Sequence, residues 1–129
     1  LSYFFDTSAL VKVYHPEAHS SEVLSIYHSE SKIFLSSLST VEFVSASLSK
    51  LRQGEIDKSA LNLELDRFGV DKCKKFTVVE FCEPVLKEAE QVLLQYGKHT
   101  ALRTLDALQL GFSLSTARKA MILSPMIKR

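Results

Sequence analysis

Short apolar runs alternate with longer segments of mixed polarity along this chain. Tyr3-Phe4-Phe5 has the apolar, aromatic character of a buried strand. Asp6-Thr7-Ser8 cuts it off, with residues that favour caps and turns over strand interiors. Ala9 to Lys12 then reads as the first turn of a helix, with Thr7 or Ser8 as N-cap. His15-Pro16-Glu17 looks like a second helix entry, running to about His28, with Val23, Leu24, Ile26 and Tyr27 as its apolar members. Ile33-Phe34-Leu35 is a second short strand. Ser39 or Thr40 caps a third helix, Val41 to Gln53, closed by Gly54, with Val41, Val44, Leu48 and Leu51 as its apolar stripe. A fourth helix, from about Asp57 to Phe68, carries Leu61, Leu65 and Phe68 at helical spacing, and the basic segment Asp71 to Lys75 reads as exposed. Phe76 to Val79 is a third strand. Glu83-Pro84 opens a fifth helix through Tyr96, Arg103 to Arg118 reads as a sixth, and Met121-Ile122-Leu123 as a last strand.

Strands and helices alternate, and no two strands lie within hairpin distance. The expectation is an α/β three-layer sandwich: a short, mainly parallel sheet of about four strands with helices on both faces. The 129 residues read as a single domain, without internal repeat or linker, large enough to bury a core.

Composition narrows the picture only slightly. With 46% hydrophobic and 24% charged residues the chain reads as globular, and a net charge of +1 gives no global field that would draw nucleic acid. Two cysteines, Cys73 and Cys82, are too few for a disulfide framework or a four-cysteine zinc site; they read as structural thiols in a reducing cytosol, hence a cytoplasmic location. No apolar run reaches the roughly 20 residues a membrane helix needs, and no signal peptide is visible.

Three acids stand in apolar surroundings. Asp6 follows a strand, where ligand sites gather in α/β folds, although it can equally cap the helix behind it. Glu42 lies beside the stripe of the third helix, on a face shared with Leu38, Ser45 and Ser49; a solvated boundary position is the plain alternative. Asp106 has Leu102 and Leu110 one turn away on either side, so it needs a partner: Arg103 in an i, i−3 ion pair, a nearby amide, or a shared cation. Clustered carboxylates repel unless a cation is present, and Mg2+ or Mn2+ suits an oxygen-only site. Such an ion activates water and stabilises charge on a phosphodiester. His15 and His19 are four apart but split by Pro16, and they, His28 and His99 read as surface or pre-helix residues. Lys72, Lys74 and Lys75, with Arg118, Lys119, Lys128 and Arg129, read as solvated charge.

Together these segments resemble the PIN-domain family, and within it the VapC-type toxins of toxin–antitoxin pairs. The resemblance rests on Phe5-Asp6-Thr7-Ser8-Ala9-Leu10-Val11-Lys12, on Tyr14 with Glu17, on Ser39-Thr40-Val41-Glu42 and on Leu102 through Leu110, in matching order and intervals over nearly the whole chain. It implies a metal-dependent endoribonuclease in which Asp6, Glu42 and Asp106 are catalytic acids that bind Mg2+. Thr7 and Ser8 would sit beside the site, with Ser124 matching a small hydroxyl residue after the last strand. Apart from the resemblance, the bidentate chemistry of its guanidinium makes Arg103 a candidate to hold substrate phosphate instead of pairing with Asp106. The resemblance also implies an RNA substrate, a homodimer and a cognate antitoxin protein; the lack of a long apolar run is what argues for no membrane partner. One departure stands out: the family places a further acid after the last strand, whereas Ser124-Pro125-Met126-Ile127-Lys128-Arg129 contains none, and the chain ends where relatives often add a little more. The alternative is therefore a PIN-like domain that binds RNA or protein without cleavage. A phosphoaspartyl domain built on Asp6 ranks below both, because a second acid two residues on is wanted and Ser8 stands there.

Overall fold

A computed structural model describes residues 2–116 and 120–123. Its sheet has four strands in the order β3-β2-β1-β4: β1 Ser2–Phe5, β2 Lys32–Ser36, β3 Phe76–Val79 and β4 Ala120–Leu123. All three pairings are parallel, with Phe5 level with Leu35 and Leu123. Parallel pairing requires crossovers, and each is made by a pair of helices: α1 Thr7–Tyr14 and α2 Ser20–Tyr27, α3 Ser37–Arg52 and α4 Lys58–Lys74, α5 Glu83–Tyr96 and α6 Thr104–Thr116. The chain leaves β1 towards β2 on one side and returns to β4 on the other. That reversal makes the carboxyl end of β1 the switch point where such sheets form their ligand crevice.

Successive strand side chains point to opposite faces, so the two phenylalanines of β1 serve different layers. Phe5, with Ile33, Leu35 and Phe76, packs against Leu10, Val13, Phe43 and Phe68 of the α1–α4 layer. Phe4 packs on the other face with Val85 and Phe112 of α5 and α6, joined by Phe34, Leu38 and Val79. The three layers expected from the alternation are present.

Several element boundaries differ from expectation for a local reason. Asp6, not Thr7 or Ser8, is the N-cap of α1. His19 sits in the left-handed region at φ 67°, so α2 begins at Ser20 and not behind Pro16. Ser36 caps α3 by accepting the Ser39 N–H, which starts the helix at Ser37, four residues before Val41. Its buried face is Ser39, Phe43 and Ser47, while Val41 is 68% exposed and Val44 and Leu48 are 38% exposed. Hydrophobicity selects the wrong stripe because the buried serines satisfy their hydroxyls internally: Ser39 meets Gln109 and Ser47 donates to Glu64. Helix α4 continues past Phe68 through Lys74, so the supposed exposed segment is its last turn. Lys72, Lys74 and Lys75 are exposed there, but Asp71 is buried.

Candidate functional site

The site begins where β1 ends. Asp6 is 8% exposed, and its Oδ1 accepts the Ala9 N–H at 2.9 Å, so it caps α1 and stands at the carboxyl end of a central strand at once. Thr7, the first residue of α1, carries the network onward: its hydroxyl lies 2.5 Å from Glu42 Oε1 and 3.1 Å from the Ser39 hydroxyl. Ser39 and Glu42 are brought there by α3, which starts directly from the end of β2 and places them three residues apart on one face. From the opposite layer, α6 contributes Gln109, whose Nε2 donates to Ser39 at 2.8 Å, Glu42 at 3.1 Å and Thr7 at 3.3 Å, while its Oε1 accepts from Ser36 at 3.1 Å. Residues 7, 36, 39, 42 and 109 thus form one polar knot across the carboxyl ends of β1 and β2.

Asp106 lies one turn before Gln109 on the same helix. It is half-buried, and its Oδ2 accepts the Arg103 backbone N–H at 3.4 Å, the reach-back of an acid at the third position of a helix. The i, i−3 ion pair with the Arg103 guanidinium does not form: no salt bridge joins the two among the described residues, because the backbone N–H at the helix start is the nearer donor. Asp106 sits in the first turn of α6, beside exposed Leu105 and half-buried Leu102 and Leu110, and is not enclosed by them.

Residues 3–121 match the PIN domain family. This chain belongs to it. Among solved structures the PIN domain is similar to a chain of a toxin–antitoxin complex from Klebsiella pneumoniae, at 14% identity and TM-score 0.60, covering 95% of this chain and 85% of that one. It is also similar to VapC20 from Mycobacterium tuberculosis, a sarcin-ricin loop cleaving toxin, at 13% identity and TM-score 0.66, covering 96% and 91%. At those identities the likeness establishes the fold. No curated protein matches the sequence.

Within this PIN domain the expected site residues fall into three groups. Thr7 and Glu42 are joined by a hydrogen bond, and Asp6 is the residue before Thr7. Asp106 and exposed Arg103 belong to the start of α6 and make no hydrogen bond to the knot. Ser8 is half-buried and makes no side-chain hydrogen bond among the described residues, and Ser124 lies outside them, as does the rest of the segment 124–129. Gln109 and Ser36 were missed by sequence reasoning. The signal for Gln109 was an uncharged polar residue three positions after Asp106, set between Leu108 and Leu110.

Among the described residues no three carboxylate, imidazole or thiol side chains are arranged to hold a metal ion. The donor chemistry nevertheless fits a hard cation that keeps several waters and needs only one or two carboxylates. Glu42 is held by two donors on Oε1, and no hydrogen bond among the described residues reaches Oε2.

The other candidates lie elsewhere. His15 Nε2 lies 2.7 Å from Glu64 Oε2, so the polar neighbour of His15 is a carboxylate of α4. His19, His28 and His99 are exposed. Cys73 and Cys82 are free and exposed, not buried structural thiols: Cys73 lies in the last turn of α4 and Cys82 just before α5. A second polar knot fixes the far end of α1. Asp71 accepts from the Tyr14 hydroxyl at 2.5 Å and the Tyr27 hydroxyl at 2.7 Å, with the Arg67 guanidinium over both rings. Burial, and after it the hydrogen bond to Asp71, pushes both phenols above their ordinary range. Helix α1 is therefore tied at Thr7 and at Tyr14, and that fixes where Asp6 stands.

Proposed function

We propose that this PIN domain is an endoribonuclease of the VapC toxin type, using Mg2+ or Mn2+ held by Asp6, Glu42 and Asp106. The observation that carries the reading is the knot at the carboxyl ends of β1 and β2. It orients the Glu42 carboxylate beside the strand that delivers Asp6, at the switch point of the sheet. The shared α6 face of Asp106 and Gln109 supports adding Asp106 to the set. Such an ion, when bound, lowers the pKa of water and offsets charge on a phosphodiester. The chain's own part is to hold the carboxylates oriented, with Thr7 fixing Glu42 and Arg103 available to a substrate phosphate. The likeness to a sarcin-ricin loop cleaving toxin and to a toxin–antitoxin complex supports RNA as substrate and a protein antitoxin as partner; homodimer assembly belongs to the same proposal and rests on neither.

A second reading has its own support. With no three-acid cluster among the described residues, the domain would bind RNA or a protein without cutting. Incubating purified protein with pooled cellular RNA, in Mg2+ or Mn2+ and in EDTA, separates the two. The nuclease reading expects metal-dependent cutting that Asp6→Asn abolishes while leaving the fold intact. RNA left whole by folded, inhibitor-free protein selects the binding reading, and full activity in Asp6→Asn removes Asp6 from the site.

A further inference from the structure

A glutamine amide has two N–H donors at one end and an acceptor at the other. Gln109 is 8% exposed, and both polar atoms of its amide are engaged. The buried Ser36 hydroxyl donates to Oε1, which turns Nε2 towards Ser39, Glu42 and Thr7. The reverse orientation would set a carbonyl oxygen against the Glu42 carboxylate. Thr7 has a single hydroxyl proton, and the 2.5 Å contact commits it to Glu42 Oε1. The two Gln109 protons then go to their shortest partners, Ser39 at 2.8 Å and Glu42 at 3.1 Å. Glu42 Oε1 therefore accepts from α1 and from α6 together. Its side chain is held from one side, by residues of two different layers.

We propose that Gln109 is a positioning residue of the metal site: it holds the Glu42 carboxylate in one orientation with Oε2 left for a divalent cation. Through it, the readiness of Glu42 depends on how α6 docks on the sheet. The proposal rests on the reading of Asp6, Glu42 and Asp106 as cation ligands. It adds a residue that touches neither the cation nor the RNA. Groups that orient a ligand from behind commonly change metal affinity by about 10- to 100-fold when removed.

The test is calorimetric titration of the purified chain with Mn2+ alone, comparing the unaltered protein with Gln109→Met. Cleavage of pooled RNA is followed across the same Mn2+ range. Methionine keeps the length of the side chain and removes its hydrogen bonds. Gln109→Asn, whose amide is one methylene too short to span Ser36 and Glu42, carries the test should Gln109→Met not melt cooperatively. Expected are a Mn2+ affinity weakened by about tenfold or more and a cleavage rate that recovers when Mn2+ is raised to saturation. Unchanged Mn2+ affinity overturns the proposal, and so does a rate that stays low at saturating Mn2+, the mark of a merely structural residue. If the unaltered chain binds no Mn2+, the metal reading itself fails and this inference with it; binding that both variants retain sinks the inference alone.

Discussion

At the scale of single residues, the acids of this PIN domain are distinguished by what donates to them. Asp6 receives a helix N–H, Glu42 a threonine hydroxyl and a glutamine amide, Asp106 a backbone N–H, and Asp71 two phenols. The last of these has a pH consequence. Tyr14 and Tyr27 ordinarily ionise near 10.0, and burial followed by the Asp71 hydrogen bond raises both in the folded chain. Above that pH the unfolded chain releases protons that the folded chain keeps, so the folded state holds the more protons and stability falls as pH rises. The contribution is complete below pH 10.0 and is lost progressively above it. Urea unfolding measured between about pH 9 and 11 should show this decline, and Tyr14→Phe should make it shallower. An identical slope in the variant would show that Tyr14 does not keep its proton.

Among the elements, α6 has the most demanding seat. It packs against α5 so closely that a Cβ on Gly111 would stand 2.5 Å from the Val85 carbonyl oxygen and 3.0 Å from the Ala89 nitrogen. Alanine gains about 1 kcal/mol of helix propensity over glycine, but overpacking against a rigid backbone costs about 1–3 kcal/mol. The clash wins, because the obstructing atoms are main chain. Gly111→Ala should lower the urea midpoint of unfolding, and it should also weaken any Mn2+ binding by displacing Gln109, two residues away. A raised midpoint would mean that α5 and α6 part without cost.

Across the whole molecule, the three layers converge on one edge of the sheet. Helices α1 and α3 come from one face and α6 from the other, and their side chains meet at the carboxyl ends of β1 and β2. A cation bound there would bind only the folded state, since in the unfolded chain residues 6, 42 and 106 are far apart. Saturating Mn2+ should therefore raise the melting temperature, increasingly with the logarithm of its concentration, and Asp6→Asn should cut the shift. A flat melting temperature at saturation would count against a cation site at this edge. Among the described residues no helix is long and apolar enough to cross a membrane.

The alternation of apolar runs with amphipathic segments was enough to specify a four-strand parallel sheet between two helical layers, because period and spacing are local properties written along the chain. Asp6 at a strand end was legible for the same reason. Helix starts were not: Ser36, Asp6 and His19 set them through individual hydrogen bonds or a single dihedral angle that composition does not weigh. The inner face of α3 was misread because serines can be buried when a partner waits for them, and the partners, Gln109 and Glu64, lie 70 and 17 residues away. The meeting of Thr7, Glu42 and Gln109 was likewise decided only by the packing of α1, α3 and α6, since hydrogen bonds across 35 and 67 positions leave no periodicity in sequence.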